Sequence, residues 1–324
     1  MMSKPKIVFL DSAALAGPGD LDWSPLREGT EFTEYPRTPQ HLISERAAEA
    51  DIVITNKCRL TADLLAEMKS VRLILEAATG FDNIDTTAAR SLGIDVCNVA
   101  GYARMPVAQT VVGYLLDHCN RVAAYAAESR AGHWAESKDF CRLDHPTLEL
   151  DGKRISIVGF GSIGSTLAAM LLPFGAKVCA VSSKLQEALP EGVKKISLEE
   201  AFATSFAVSL HCPLTPATRE FVNRDLLARS RRGLVLINTA RGGVVHEQDV
   251  ADALTTGTLG AYYADVLSQE PPRPDNPLLT APHSHITPHI AWATREARTR
   301  IILSLAANIR AFAEGRPLTN VVNP

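Results

Sequence analysis

Arg241, Glu270 and His289 are residue types that together polarise a carbonyl group and supply it with a proton, and each stands where a strand-like run gives way to a loop. Arg241 lies in Leu236-Ile237-Asn238-Thr239-Ala240-Arg241-Gly242-Gly243, an apolar run that ends in polar residues and glycines. Glu270 follows Ala261-Tyr262-Tyr263-Ala264-Asp265-Val266 and precedes Pro271-Pro272, and His289 follows His285-Ile286-Thr287-Pro288. In an open parallel sheet the carboxyl ends of the strands face one crevice, where ligands bind. A guanidinium, a carboxylate and an imidazole delivered to it form an acid–base site for a carbonyl compound. Taken singly, each has an ordinary explanation. A strand-end Arg is usually a surface or ion-pair residue, a Glu before Pro is common loop, and most of the nine histidines have to be structural. His41, His118 and His246 sit in helical or helix-start contexts and receive no role.

The partner for such chemistry is written in Gly159-Phe160-Gly161-Ser162-Ile163-Gly164. The short β-branched run Arg154–Val158 precedes it, and the helix former Thr166–Leu172 follows. A G-x-G-x-x-G pattern alone is weak, but strand, glycine turn and helix in this order are the context a dinucleotide needs. The glycines permit a tight turn and close backbone approach, so a pyrophosphate rests on the helix N-terminus.

These residues need elements to carry them. Strand candidates are Lys6–Asp11, Asp51–Thr55, Leu73–Ala77 and Asp95–Val99, separated by the helical patterns His41–Ala50, Thr61–Met68 and Thr86–Leu92. One long helix is expected over Val107–Ala127, then a polar segment to about Leu150. Alternation restarts at Arg154 and runs through Lys177–Val181, Ala207–His211, Leu234–Asn238, Ala261–Val266 and His285–Thr287, before a last helix over Arg295–Ala313. Such alternation implies parallel sheets covered by helices. The fold class is α/β with two doubly wound parallel-sheet domains in series. The expected division is a flavodoxin-like substrate domain, 1–101 with 294–324, and a Rossmann nucleotide-binding domain, 102–293.

At 324 residues the chain accommodates two domains of about 150 residues. Hydrophobic content of 46%, charged content of 21% and a net charge of −3 give no electrostatic reason to expect nucleic acid or an anionic membrane. Cys58, Cys97, Cys119, Cys141, Cys179 and Cys212 are widely spaced, which favours buried free thiols over disulfides or zinc. The N-terminal apolar run is too short for a signal peptide, and no stretch approaches a membrane span, so a cytoplasmic protein without metal is expected.

The motifs taken together resemble the D-2-hydroxyacid dehydrogenase family, and within it the glycerate dehydrogenases, or hydroxypyruvate reductases. The resemblance spans nearly the whole chain. It rests on Ala78-Thr79-Gly80-Phe81-Asp82-Asn83-Ile84-Asp85, Gly159–Gly164, His211-Cys212-Pro213-Leu214-Thr215, Asn238–Gly242, Asp265-Val266 with Glu270-Pro271, and Thr287–Ala293. It implies hydride transfer between a nicotinamide and the 2-carbon of a small 2-oxo or 2-hydroxy acid, in a homodimer. His289 is then the acid that protonates the carbonyl oxygen, and Glu270 pairs with its imidazole and favours the charged form. Arg241 offers donors to the substrate carboxylate and carbonyl, whose carboxylate also meets the backbone N–H groups of Thr79 and Gly80. The cofactor side takes in Gly159, Gly161, Ser162, Ile163, Gly164, Thr239 and Ala240, with Asp265 on the nicotinamide carboxamide and His211 and Pro213 along its path.

Two departures from the family pattern carry information. An acid is expected about 20 residues past the glycines to bind the ribose 2′-hydroxyl of NAD. Ser182-Ser183-Lys184 stands there instead, two hydroxyls and a cation that suit a 2′-phosphate. NADP is therefore favoured, with NAD possible if the acid is simply lost. The second departure is Arg142-Leu143, where many relatives carry an aromatic pair in a loop that crosses the dimer interface. Arg142 either reads a polar substrate tail or pairs with a carboxylate such as Asp144. Lys57, just past a strand end, either faces the cleft or is solvated. Glyoxylate and hydroxypyruvate are the leading substrates. The alternatives are a nucleotide-sensing protein resembling the corepressors of this fold, and a dehydrogenase of an unusual acid such as a phosphorus oxyacid. Glu270 argues against the formate dehydrogenase branch, which has an amide there. The chain ends after the last motif, so no regulatory C-terminal domain is expected.

Overall fold

The computed structural model describes residues 4–324. The chain divides into two compact units, one running to Ala103 and including Ala293–Pro324, the other Arg104–Trp292. The first contains a five-stranded sheet of β1 (Lys6–Phe9), β2 (Glu31–Glu34), β3 (Ile52–Thr55), β4 (Leu73–Glu76) and β5 (Asp95–Cys97), in the order β2-β1-β3-β4-β5. Every pairing is parallel. β3 and β4 are buried along their whole length, which is why they read as unbroken apolar runs rather than alternating ones. β2, absent from the expected strands, is an edge strand of sequence Glu-Phe-Thr-Glu with no buried residue. Its polarity hid it, because only its backbone is needed by β1.

The closing helix Arg295–Ala313 returns to this unit. Thr294 caps it by accepting from the N–H of Ala297. Buried Arg298 then fastens it, pairing with Asp20 at 2.8 Å and donating to the carbonyls of Leu15 and Ala16. The C-terminal segment is tied to β5 through Asn323, which accepts from the N–H of Val96 and donates to the carbonyl of Ile94, both at 2.8 Å.

The second unit holds a seven-stranded sheet of β6 (Arg154–Val158), β7 (Lys177–Val181), β8 (Val193–Lys195), β9 (Ala207–Leu210), β10 (Leu234–Asn238), β11 (Leu259–Ala264) and β12 (Ser284–Ile286). Its order, β12-β11-β10-β9-β6-β7-β8, changes direction between β6 and β9, the switch point of a doubly wound sheet. Alternate residues feed two cores. Leu234, Leu236, Tyr262 and Ala264 pack on one face, and Val235, Ile237, Ala261 and Tyr263 on the other. β8, also unexpected, is a three-residue edge strand of sequence Val-Lys-Lys.

The single helix expected over Val107–Ala127 is two helices, Arg104–Asn120 and Val122–Arg130, broken at Arg121 with φ 54°. No Gly or Pro marks the break. The first helix buries Val107, Val111, Leu115 and Cys119, whereas the second buries no residue, so packing rather than local sequence ends the first. All six cysteines are free; Cys141 is exposed, Cys212 half-buried and the other four buried. Among the described residues no helix is long and apolar enough to cross a membrane.

Glu76, at the carboxyl end of β4, is fully buried. Its Oε2 accepts from Asn83 at 3.0 Å, and its Oε1 has no partner. Burial pushes its carboxyl up to about 9 from an ordinary 4.5. The folded state therefore keeps a proton that the unfolded chain releases above 4.5, and stability falls as pH rises from there toward 9. Glu76→Gln is expected to remove this dependence. Thermal melts of parent and variant should nearly coincide at pH 5, with the variant ahead by on the order of 3 kcal/mol at pH 7. A difference that does not grow with pH would refute the neutral carboxyl.

Candidate active site

Asn238, the last residue of β10, is buried and folds the chain beyond it. Its Oδ1 accepts from the N–H of Ala240 and its Nδ2 donates to the carbonyl of Arg241, each at 3.0 Å. Thr239-Ala240-Arg241 is thereby held as a tight turn at the strand end. The Arg241 side chain leaves it with Nη1 donating to the carbonyl of Ala240 at 2.8 Å. Among the described residues no carboxylate forms an ion pair with Arg241, so most of its donor fork is open to an anion.

Gly242 explains how this turn meets the loop that carries Glu270. A Cβ at Gly242 would fall 1.8 Å from the carbonyl carbon of Leu267 and 2.2 Å from the nitrogen of Ser268. The two backbones touch, and only glycine fits. The Glu270 loop is held from two further directions. Glu270 Oε1 accepts from the N–H of Leu267 at 3.0 Å. Glu247, at the start of the helix Glu247–Thr255, accepts from the N–H of Ser268 at 2.7 Å and from Asn276 at 2.8 Å. Glu270 Oε2 then meets His289 Nδ1 at 2.5 Å, with both side chains about one-third exposed. With Nδ1 committed to the carboxylate, Nε2 is the nitrogen left for proton exchange with a ligand.

Asp265, just past β11, is 2% exposed. Its Oδ1 accepts from the hydroxyl of Thr287 (2.6 Å) and the N–H of Ile290 (2.8 Å), and its Oδ2 from the N–H of Ala291 (2.7 Å). The carboxylate expected on a nicotinamide carboxamide thus brackets His289 from both sides.

The glycine turn lies at the carboxyl end of β6. Gly159 has φ 94°, and a Cβ there would lie within 2.7 Å of the backbone of His211 and Cys212. At Gly164 a Cβ would meet the carbonyl oxygen of Gly159 at 2.4 Å. At Gly161 nothing lies within 4 Å, so one glycine closes the turn, one packs helix on strand, and one leaves room for a ligand. No side chain caps the N-terminus of the helix Ser162–Leu171, on whose first turn Ser162, Ile163 and Gly164 lie. Ser182, Ser183 and Lys184, beyond β7, line a groove of about 680 Å³ with this turn. Thr239 Oγ1 is buried without a partner in the chain. Open space at Gly161, an uncapped helix end and an orphaned hydroxyl fit a dinucleotide.

Other expected positions are placed as follows. His211 is half-buried, with its Nδ1 enclosed and its Nε2 on the Ser209 hydroxyl at 2.8 Å, and desolvation pulls its pKa down to about 4, so it is neutral. Its contribution to the glycine turn runs through its backbone. Pro213 is exposed, and its carbonyl accepts from Thr218. Thr79 and Gly80 follow β4 in the first unit, where Thr79 donates to the carbonyl of Val99 at 2.9 Å and its own carbonyl accepts from Asn98 at 2.7 Å. Lys57 is exposed, with its N–H on Asp11. Arg142 pairs with Asp144 at 2.6 Å.

Several contributors were not legible in advance. Lys195 ends β8 and lines the same groove, with Nζ donating to the carbonyl of Lys184 at 2.6 Å. A strand as short as Val-Lys-Lys carries no periodic signal. Gly242 and Glu247 act by contacts between loops distant in sequence, and Asn238 by side-chain bonds that close its own turn. Among the described residues no group of His, Cys, Asp or Glu could hold a metal.

The model of the D-isomer specific 2-hydroxyacid dehydrogenase NAD-binding domain matches residues 112–291. The chain belongs to the D-2-hydroxyacid dehydrogenase family. It is 38% identical to a hydroxypyruvate reductase of Blautia hydrogenotrophica, over 98% of this chain and 99% of that one. It is 37% identical to a glycerate dehydrogenase of Methylorubrum extorquens, over 98% of each. Among solved structures the TT0316 protein of Thermus thermophilus superposes with a TM-score of 0.87 at 32% identity, covering 98% of this chain and 99% of that one. This D-2-hydroxyacid dehydrogenase is an oxidoreductase with a nicotinamide cofactor and a small hydroxy- or oxo-acid substrate. These relatives favour that chemistry over the nucleotide-sensing alternative.

Proposed function

We propose that this enzyme reduces glyoxylate or hydroxypyruvate with NADPH, and that the ion-paired imidazole of His289 is its acid. The observation that carries the reading is the 2.5 Å contact between Glu270 and His289 Nδ1. The bound nicotinamide supplies the hydride. His289 gives the Nε2 proton to the carbonyl oxygen during reduction and takes the hydroxyl proton back in the reverse direction. Glu270 fixes the other ring proton at Nδ1 and stabilises the imidazolium. Arg241 turns its open fork to the substrate carboxylate and carbonyl. The names of the relatives above motivate hydroxypyruvate, and glyoxylate is a smaller 2-oxo acid of the same class.

For NADPH the support is the composition of the groove. Ser182, Ser183, Lys184 and Lys195 line it, and among the described residues no carboxylate does. Two cations and two hydroxyls suit a 2′-phosphate dianion, which an acid would repel. A homodimer is supported by the helix Val122–Arg130, no residue of which is fully buried within its own chain, and by the segment after it. There Trp134, Phe140 and Leu143 are 55%, 90% and 85% exposed, an apolar surface of the kind that marks an interface.

Three outcomes follow. His289→Ala is expected to lower kcat by about 10²–10⁴-fold, the range for loss of general acid catalysis, and near-parental turnover would end this assignment. NADPH should give the higher kcat/KM, and Ser182→Asp should reverse the order in both kinetics and fluorescence titration of cofactor binding. Equal use of NADH and NADPH by the parent would instead indicate lost discrimination. Sedimentation equilibrium should return twice the 35.0 kDa chain mass, and a monomer at micromolar concentration would contradict the dimer.

A further inference from the structure

Tyr114 lies within the helix Arg104–Asn120, outside every motif that marks the site. Its hydroxyl is 2.5 Å from Thr287 Oγ1. Thr287 has one hydroxyl proton, and that proton is committed to Asp265 Oδ1 at 2.6 Å. Tyr114 is therefore the donor in its contact with Thr287. The direction of the chain of bonds is set: Tyr114 donates to Thr287, Thr287 donates to Asp265, and Asp265 accepts from the N–H groups of Ile290 and Ala291.

Those two N–H groups directly follow His289, whose backbone is left-handed at φ 55°. A residue with a Cβ adopts that conformation only where its surroundings hold it there. On the preceding side the N–H of His289 donates to the carbonyl of Thr287 at 3.0 Å. On the following side the hold is Asp265. Loosening Thr287 or Asp265 frees both ends of the loop at once. The imidazole then no longer has to meet Glu270.

We propose that Tyr114 is a positioning residue for His289, acting through Thr287 and Asp265. The proposal rests on the reading of His289 as the acid. Three further features fit it. The Tyr114 ring packs against Tyr263 with centroids 5.2 Å apart, so the ring has a packing role separable from its hydroxyl. Burial pushes the Tyr114 phenol up to about 12, so it stays a donor at any pH at which the enzyme is assayed. Asp265 is 2% exposed, so water has little access to replace a lost donor.

Tyr114→Phe removes the hydroxyl and keeps the ring. It is expected to lower kcat about fivefold, the effect of one hydrogen bond of ordinary strength, with the cofactor Kd unchanged by fluorescence titration. Thr287→Val should cost at least as much, Thr287→Ser should restore function by returning the hydroxyl, and adding Tyr114→Phe to Thr287→Val should cost nothing more. Hydrogen exchange at the Ile290 and Ala291 amides should quicken in Tyr114→Phe, a readout that needs no turnover. A Tyr114→Phe enzyme with parental kcat and amide protection overturns the proposal, whatever its melting temperature. Multiplying losses in the double variant overturn it as well. If His289→Ala retains turnover while the two amides still lose protection in Tyr114→Phe, the acid assignment fails and the mechanical link stands.

Discussion

Strands that pair only in parallel must all end on the same edge of their sheet, and the chemistry of this dehydrogenase depends on that constraint. In the seven-stranded sheet β6, β9, β10, β11 and β12 are consecutive neighbours. Their carboxyl ends release the glycine turn, His211, the Arg241 turn, the Asp265–Glu270 loop and the His289 loop. Residues far apart in sequence are thereby delivered to one edge without any loop having to travel. The backbone hydrogen bonds of the ladder hold the origins of those loops, so only a few residues of each remain to be shaped by side chains.

The shaping is done by polar side chains, buried at Asn238 and Asp265 and half-buried at Glu247, whose partners are mostly backbone. Asn238 closes the Arg241 turn, Glu247 holds Ser268, and Asp265 holds Ile290 and Ala291. Each meets a backbone group that no strand or helix satisfies, and a buried N–H left without a partner is costly. The same contacts that satisfy these groups define where Arg241, Glu270 and His289 begin. Gly242 adds a steric condition, since any side chain there would overlap the Leu267–Ser268 backbone. Stability and site geometry share these contacts, so substitutions at Asn238 or Gly242 are expected to disturb both together.

Buried ionisable groups divide the two units differently with respect to pH. Glu76 in the first unit is raised to about 9, and holding it neutral opposes folding increasingly as the solution becomes more alkaline. In the second unit burial lowers His118 and His211 to about 4 each. The unfolded chain binds protons at these imidazoles below about 6.5 while the folded chain does not, so that unit loses stability as pH falls from there toward 4. The two slopes are opposed, one unit losing stability toward acid and the other toward alkali.

The residue sequence by itself determined the alternation of apolar runs and helical patterns, hence two parallel α/β units. It also determined the glycine fingerprint between β6 and its helix, and the residue types of the acid–base trio. These are local properties: a buried parallel strand must be apolar throughout, and a pyrophosphate turn must be glycine. The edge strands β2 and β8 escaped because an edge asks little of its side chains. The break at Arg121 escaped because burial, not a breaker residue, ends the helix there. Lys195 reaches the cofactor groove only because β8 pairs with β7, and Tyr114 reaches the His289 loop only because its helix packs where β12 ends. Register and packing are relations between distant segments, and no window of sequence contains them. The tertiary structure alone decided which donor meets which acceptor around Asp265, because a hydrogen bond depends on a separation of tenths of an ångström that only the assembled sheet sets.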